Sequence, residues 1–183
     1  METKKHIIAI VGESGSGKTL ASQLLTGPGC KTIVSYTTRP MREGEINGVD
    51  HWFVDNKQLP EKEEICAYTL YGGYHYWTTW SQFQEWHKYY FAYVIDEKGL
   101  VDLMNKPLSL MFDIIPIKIV RPNKDDIDRS RKDRDIKRIS LPDVIYDFII
   151  NNDGTLEEFK NKVKHVFNEI KNRTSWQHQK MNR

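Results

Sequence analysis

At 183 residues the chain has room for one domain with a substantial core, and it carries no internal repeat. A formal net charge of +2 is too small to argue for nucleic acid, and the two cysteines, Cys30 and Cys66, lie too far apart in sequence for a zinc ribbon or a disulfide framework. No apolar run has the length of a membrane span and residues 1–12 show no signal-peptide pattern, so the expected setting is a reducing cytoplasm.

Residues 6–11 (HIIAIV) are a short apolar run of the kind that forms a buried parallel strand. They lead into Gly12-Glu13-Ser14-Gly15-Ser16-Gly17-Lys18-Thr19, which fits the Walker A pattern G-x-x-x-x-G-K-S/T at every fixed position. Residues 19–25 (TLASQLL) then start a helix. Strand, glycine loop and helix N-terminus in this order make a phosphate cradle. The glycines let backbone N–H groups turn onto phosphate oxygens, and the helix end adds partial positive charge. Lys18 would reach the β- and γ-phosphates and the Thr19 hydroxyl would ligate Mg²⁺. The dinucleotide fingerprint G-x-G-x-x-G does not fit, because the glycines fall at 12, 15 and 17. The expected ligand is therefore a nucleoside triphosphate with Mg²⁺, and the open question is what receives the phosphate.

Gly27-Pro28-Gly29 breaks the chain, and residues 31–36 form a second strand. Residues 37–45 are polar and turn-rich, and residues 49–54 are aromatic and β-prone. Residues 56–64 read as a short helix and turn, and residues 65–79 as a hairpin around Gly72-Gly73. Residues 81–90 read as helical. Residues 91–96 (FAYVID) form an apolar strand ending in Asp96, which either orders Mg²⁺ through water, orients an acceptor, or caps the helix at 97–105. Residues 114–120 are a buried strand whose Pro116 moves the expected start to Ile117. Residues 123–138 are a highly charged helical stretch, and residues 146–150 are the last strand. The final helix covers 155–170, with a Thr155/Glu158 capping box and an apolar stripe of Leu156, Phe159, Val163, Val166, Phe167 and Ile170 read as core. Residues 174–183 read as a frayed polar tail.

Alternating strands and helices imply an α/β fold of the P-loop three-layer type, with a mostly parallel central sheet. Residues 37–85 break the alternation and read as a small, partly antiparallel insertion that holds the second substrate. The expected organisation is one domain over 1–173, its core at 1–36 and 91–173, with a short lid at 124–140.

Chemistry concentrates at two further places. Arg39 and Arg42 present forked donors suited to a phosphate, in a loop expected near the P-loop. Residues 129–138 (RSRKDRDIKR) are either a solvated face paired with Asp133 and Asp135 or arginines that close over phosphates. With a P-loop upstream and no stacking aromatics nearby, phosphate is the better partner. His51, His75 and Cys66 do not have zinc-site spacing.

Ser35-Tyr36-Thr37-Thr38-Arg39-Pro40-Met41-Arg42-Glu43-Gly44-Glu45, followed by Gly48-Val49-Asp50, resembles the monophosphate site of guanylate kinases. Gly73-Tyr74-His75-Tyr76-Trp77-Thr78, Ile95-Asp96-Glu97-Lys98-Gly99 and Asn151-Asn152-Asp153 echo later motifs of that family in order. The resemblance spans residues 6–170. It implies that Arg39, Arg42 and Tyr76, with Glu45 in the same motif and His51 in place of a family tyrosine, hold the acceptor phosphate. It implies that Ser35, Thr78 and Asp96 face guanine, that Asn152 lies near the adenine of ATP, and that Arg131, Arg134 and Arg138 clamp the transferring phosphoryl.

Three departures stand out. Ala67 occupies the position of a guanine-reading glutamate, leaving Asp96 or Glu64 to compensate. Trp77 replaces a small glycine, and the lid is short, with Pro142 before the last strand. The implied reaction is phosphoryl transfer from MgATP to GMP or dGMP, in a monomer or homodimer without nucleic acid or membrane. The alternatives are the same fold acting on another monophosphate or a sugar bisphosphate, and a non-catalytic guanylate-kinase-like binding module. Lys18 and Thr19 argue against the module.

Overall fold

The apolar run after Lys4 becomes β1 (Lys5–Gly12), the central strand of a parallel sheet. It is buried on both faces: Ile7, Ala9 and Val11 join one core cluster, while Ile8 and Ile10 join another. That is the period-2 split expected of a strand covered on both sides. The computed structural model describes residues 4–27, 29–84, 88–106, 110–122 and 138–181, with side chains as far as Thr174.

The glycine loop passes into α1 (Lys18–Leu25), and β2 (Cys30–Ile33) follows. The chain then leaves the main sheet. β3 (Tyr36–Thr37), β4 (Trp52–Phe53), β5 (Ile65–Tyr71) and β6 (Tyr74–Thr79) build a second sheet in the order β4-β3-β6-β5. β5 and β6 are the expected hairpin, turning at Gly72 and Gly73. The chain returns through β7 (Tyr90–Val94), α2 (Glu97–Asn105), β8 (Phe112–Val120), β9 (Phe148–Asn151) and α3 (Leu156–Met181). The main sheet has the order β2-β7-β1-β8-β9, with every pair parallel. α1 and α3 pack on one face through Ala21, Leu25, Phe159, Val163 and Ile170. The other face is covered by Leu100 and Leu103 of α2, by Cys66 and Ala67 of β5, and by Trp80 and Phe83. The small sheet is docked to α2 by the Tyr68 N–H, which donates to Asp102 Oδ2 at 3.0 Å.

Several boundaries differ from the sequence reading, each for a physical reason. The strand expected over 31–36 is divided between the two sheets, and Gln82 Nε2 donates to the Val34 carbonyl at the crossing, at 2.8 Å. Of the stretch read as helical over 81–90, the described residues show the end of a 3₁₀ turn, Trp80–Phe83, and the start of β7 at Tyr90, while 85–87 lie outside the described residues. Pro116 lies inside β8. Its carbonyl accepts from the Asp147 N–H on the β9 side. A parallel-strand residue directs both backbone groups to the same neighbour, so the missing N–H falls where β9 has not begun and costs no ladder bond. The final helix does not stop near Ile170. The sequence beyond has no glycine or proline to break it, and Thr174 is buried, sharing a 2.6 Å hydrogen bond with the Tyr90 hydroxyl. The residues read as a frayed tail therefore continue α3 to Met181. The Thr155/Glu158 capping box is present, with the Thr155 N–H donating to Glu158 Oε2 at 2.7 Å.

Phe159 links helix packing to the phosphate loop. It is 2 % exposed, and a Cβ on Gly17 would lie 2.9 Å from its ring. Phe159→Ala is expected to destabilise the fold by about 3–5 kcal/mol in urea denaturation, because a large buried ring leaves a cavity. A loss below about 1 kcal/mol would show that the helix does not brace the loop.

Candidate active site

The carboxyl edge of the main sheet faces the small sheet across a cleft of about 390 Å³. Ser14, Gly15, Lys18 and Thr19 line one wall. Gly12 and Gly17 are glycine of necessity. At Gly12 a Cβ would stand 2.5 Å from the Ile119 carbonyl oxygen, and Gly17 has φ +106 at the head of α1. Lys18 Nζ lies over the loop and donates to the Glu13 carbonyl at 2.7 Å. Ser16 is buried behind the loop, and its hydroxyl finds no hydrogen-bond partner among the described residues. Gly12 and Glu13 line an adjoining cavity on the β8 side rather than the main cleft.

The opposite wall carries Arg39, Arg42, Glu45, His51 and Tyr76. Arg39 is 6 % exposed and forked onto Glu45, with Nη1 to Oε2 and Nη2 to Oε1 both at 2.6 Å. It also donates to the Pro40 carbonyl at 2.9 Å and stacks 5.1 Å from the Phe53 ring centre. Hydrogen bonding from Arg39 holds the Glu45 carboxyl down at about 2. Glu45 thus orients the arginine, and it also accepts from the Arg42 N–H at 2.8 Å. His51 Nδ1 shares a 2.8 Å hydrogen bond with Ser35 Oγ, and its ring meets Tyr76 edge-on at 5.7 Å. Burial, with the Arg39 charge beside it, lowers the His51 imidazole to about 4.

The inner end of the cleft is formed by Ser35, Ala67, Thr69, Tyr93 and Asp96. Asp96 caps α2. Its Oδ1 accepts from the Gly99 N–H at 2.6 Å and from Thr69 Oγ1 at 3.1 Å. The helix cap expected of Asp96 is present, and the capping residue also lines the cleft. Thr78 is fully buried behind this wall and is not among the residues lining the cleft; its hydroxyl donates to the Tyr93 oxygen at 3.0 Å. Burial pushes the Tyr93 phenol well above its ordinary range. Glu64 is exposed ahead of β5 and does not line the cleft. Asp96 is thus the carboxylate present where Ala67 lies.

Of the lid arginines, Arg138 stands at the junction of the cleft and the adjoining cavity. Its Nε and Nη2 both donate to Glu97 Oε2, at 2.9 and 2.6 Å, and its Nη1 donates to the Gly12 carbonyl. Arg131, Arg134 and most of the stretch expected as a lid lie outside the described residues. Asn152 Nδ2 donates to the Ser16 carbonyl at 2.9 Å, so it touches the phosphate loop itself. The sequence reading did not single out Thr69, Tyr93, Glu97 or Arg121. Thr69 and Tyr93 had a usable signal, since strand alternation puts them on the same strand faces as Ala67 and Ile95. Among the described residues there is no cluster of three or more His, Cys, Asp or Glu that could hold a metal, and no helix is long and apolar enough to cross a membrane.

The family model described as guanylate kinase matches residues 4–170. This chain belongs to the guanylate kinase family. It is 42% identical over 90 residues to a guanylate kinase of Prochlorococcus marinus, an alignment covering 46% of this chain and 49% of that protein. Against that relative, therefore, the matched part of the chain spans about half of the relative's length. A guanylate kinase of Neisseria gonorrhoeae is 29% identical over 181 residues, covering 90% of this chain and 88% of its own. In fold, the chain is similar to the crystal structure of guanylate kinase from Anaplasma phagocytophilum, with a TM-score of 0.69, 23% identity, and 95% and 89% of the two chains covered.

In this member of the guanylate kinase family the buried imidazole makes the Arg39 wall of the cleft sensitive to acid. The folded pKa of His51, about 4, lies below its ordinary 6.5. The unfolded chain therefore binds the extra proton first, and the stability due to neutral His51 is full above pH 6.5 and lost as pH falls toward 4. Between pH 7 and pH 4.5 the wild type is expected to lose on the order of 2–3 kcal/mol more than His51→Gln, measured by denaturant midpoints at each pH. Equal losses in the two proteins would overturn the assignment.

Proposed function

We propose that this chain transfers the γ-phosphoryl group of MgATP to GMP or dGMP, giving ADP and the corresponding diphosphate. The observation that carries the proposal is a single cleft with a P-loop on one wall and the Arg39/Arg42 pair on the other. Two phosphate sites that share one cavity can bring a donor and an acceptor phosphate into line. The P-loop backbone, Lys18 and Asn152 belong to the donor side. Arg39, Arg42, Tyr76, His51 and Ser35 belong to the acceptor, with Glu45 orienting Arg39. Asp96 faces the base, directly or through water, and Thr78 acts on it only through Tyr93.

The acceptor phosphate is already ionised, so no general base is needed. Arg138, together with Arg131 and Arg134 of the lid, stabilises charge on the transferring group. Mg²⁺ suits this cleft, where the Thr19 hydroxyl, a hard oxygen group, would hold it directly and the Asp96 carboxylate would order it through water. When bound, the ion neutralises phosphate charge and holds the donor oxygens in place. The buried, unpaired Cys30 and Cys66 thiols agree with a reducing cytoplasm.

Ala67 favours a second reading on one point, the base. A guanine offers N1–H and a 2-amino group, and Asp96 is the carboxylate lining this end of the cleft. An unpaired buried donor costs about 1–3 kcal/mol, which would admit another monophosphate or a sugar bisphosphate.

ADP release should be followed with MgATP and a panel of GMP, dGMP, IMP, AMP, UMP, dTMP and ribose bisphosphate. GMP and dGMP are expected to raise release at least about 10²-fold above a Lys18→Ala control, since that lysine meets the developing charge. If no acceptor exceeds the control, the kinase reading fails. If AMP or dTMP outruns GMP, the base assignment fails and the reaction class stands. Ala67→Glu is expected to improve kcat/KM for GMP over IMP by about 10-fold, and no change would remove position 67 from the base site.

A further inference from the structure

Arg121 has no part in the roles assigned above. It follows the last residue of β8 at the carboxyl edge of the sheet, and its Nη1 donates to the Gly15 carbonyl at 3.1 Å. From the neighbouring strand end, Asn152 Nδ2 holds the next carbonyl, that of Ser16, at 2.9 Å. Arg138 Nη1 donates to the carbonyl of Gly12. Side chains from three separate segments thus hold three carbonyls of one phosphate loop from outside. In a trans peptide the C=O and the following N–H point opposite ways. Turning these carbonyls outward therefore directs the N–H groups of Glu13 and Gly17 to the inner side of the loop, where an anion nest needs them. The Ser16 N–H closes the loop on itself by donating to the Glu13 carbonyl at 3.2 Å.

We infer that Arg121 is a positioning residue of the donor-phosphate site, holding the Gly15 carbonyl outward so that the Glu13–Ser16 turn keeps the shape that cradles the phosphates of ATP. The inference rests on the donor assignment proposed above. Arg121 and Asn152 act as a clamp on adjacent peptides, one from the end of β8 and one from just past β9. A guanidinium suits the place because it brings a fixed positive charge to the rim of a phosphate site while it holds the carbonyl. Arg121 lines the adjoining cavity with Gly12, Glu13 and Arg138, and it does not line the cleft that carries Arg39 and Arg42. Its influence should therefore fall on the donor and spare the acceptor.

The test compares wild type, Arg121→Ala and Arg121→Lys in two assays. One measures ADP release with MgATP and GMP varied in turn. The other measures calorimetric binding of the magnesium complex of adenylyl imidodiphosphate with no acceptor present. In Arg121→Ala the KM for ATP and the Kd of the analogue are expected to rise about 5- to 20-fold, as for loss of one charge-assisted hydrogen bond. The KM for GMP should stay within about 2-fold, the melting temperature should not move, and Arg121→Lys should recover part of the loss. An unchanged analogue Kd in Arg121→Ala overturns the inference. Equal rises in both KM values, or a weaker Kd that tracks a fall in melting temperature, overturn it as well. If the wild type binds the analogue and releases no ADP with any acceptor, the kinase reading fails, while the binding arm still decides the role of Arg121. If the wild type binds no analogue, both fail.

Discussion

The structure depends on how closely the glycine loop is pressed into the end of the sheet. At Gly12 the backbone runs so near β8 that a Cβ would meet the Ile119 carbonyl at 2.5 Å, and at Gly17 it lies against the Phe159 ring. Both contacts exist only because these residues lack a side chain. They fix where β1 ends and where α1 begins, and so where the backbone N–H groups of the loop gather. β1 is the middle strand of five, so any shift there would disturb its ladders with β7 and β8 together. The glycine loop is thus part of the core packing, not a loop added to it.

The charged groups follow a common pattern. Two guanidiniums face the cleft with a carboxylate already in hand, Arg39 on Glu45 and Arg138 on Glu97. Each carboxylate neutralises part of a charge that would otherwise repel the other arginine and Lys18, and each fixes the direction of the fork. Removing one partner from such a buried pair would leave the other charge without compensation. In the proposed reaction an arriving phosphate would meet arginines whose rotamers are already set, which would lower the ordering cost of binding. His51 adds a different contribution. Neutral at pH 7, it offers hydrogen bonding beside Arg39 without adding a further positive charge.

The small sheet shows how a single strand serves both core and site. Cys66 and Ala67 of β5 sit in the main core cluster, Thr69 supports Asp96 from the cleft side, and the Tyr68 N–H reaches Asp102 on α2. The register shift between Ile65 and Ala67 gives β5 an irregularity at the point where it turns from the core to the cleft. Past that bend Ala67 lines the inner end of the cleft, where the proposed reading puts the base.

Much of this was written in local patterns. The strand, glycine loop and helix of residues 5–25, the hairpin at Gly72-Gly73, the capping box of α3 and the Arg39/Arg42 loop each rest on neighbours in sequence, where periodicity, turn chemistry and motif spacing act. By itself the sequence determined the fold class, the phosphate loop and the family motifs. The tertiary structure alone decided which side chains hold that loop, that Thr78 stands behind Tyr93, that Pro116 costs no ladder bond, and that α3 continues past Ile170 because Thr174 docks on Tyr90. The reason is separation. Arg121 lies 106 residues from Gly15, and Asn152 lies 136 residues from Ser16. No local period or propensity links such partners; they meet only because parallel strands bring their carboxyl ends to one edge.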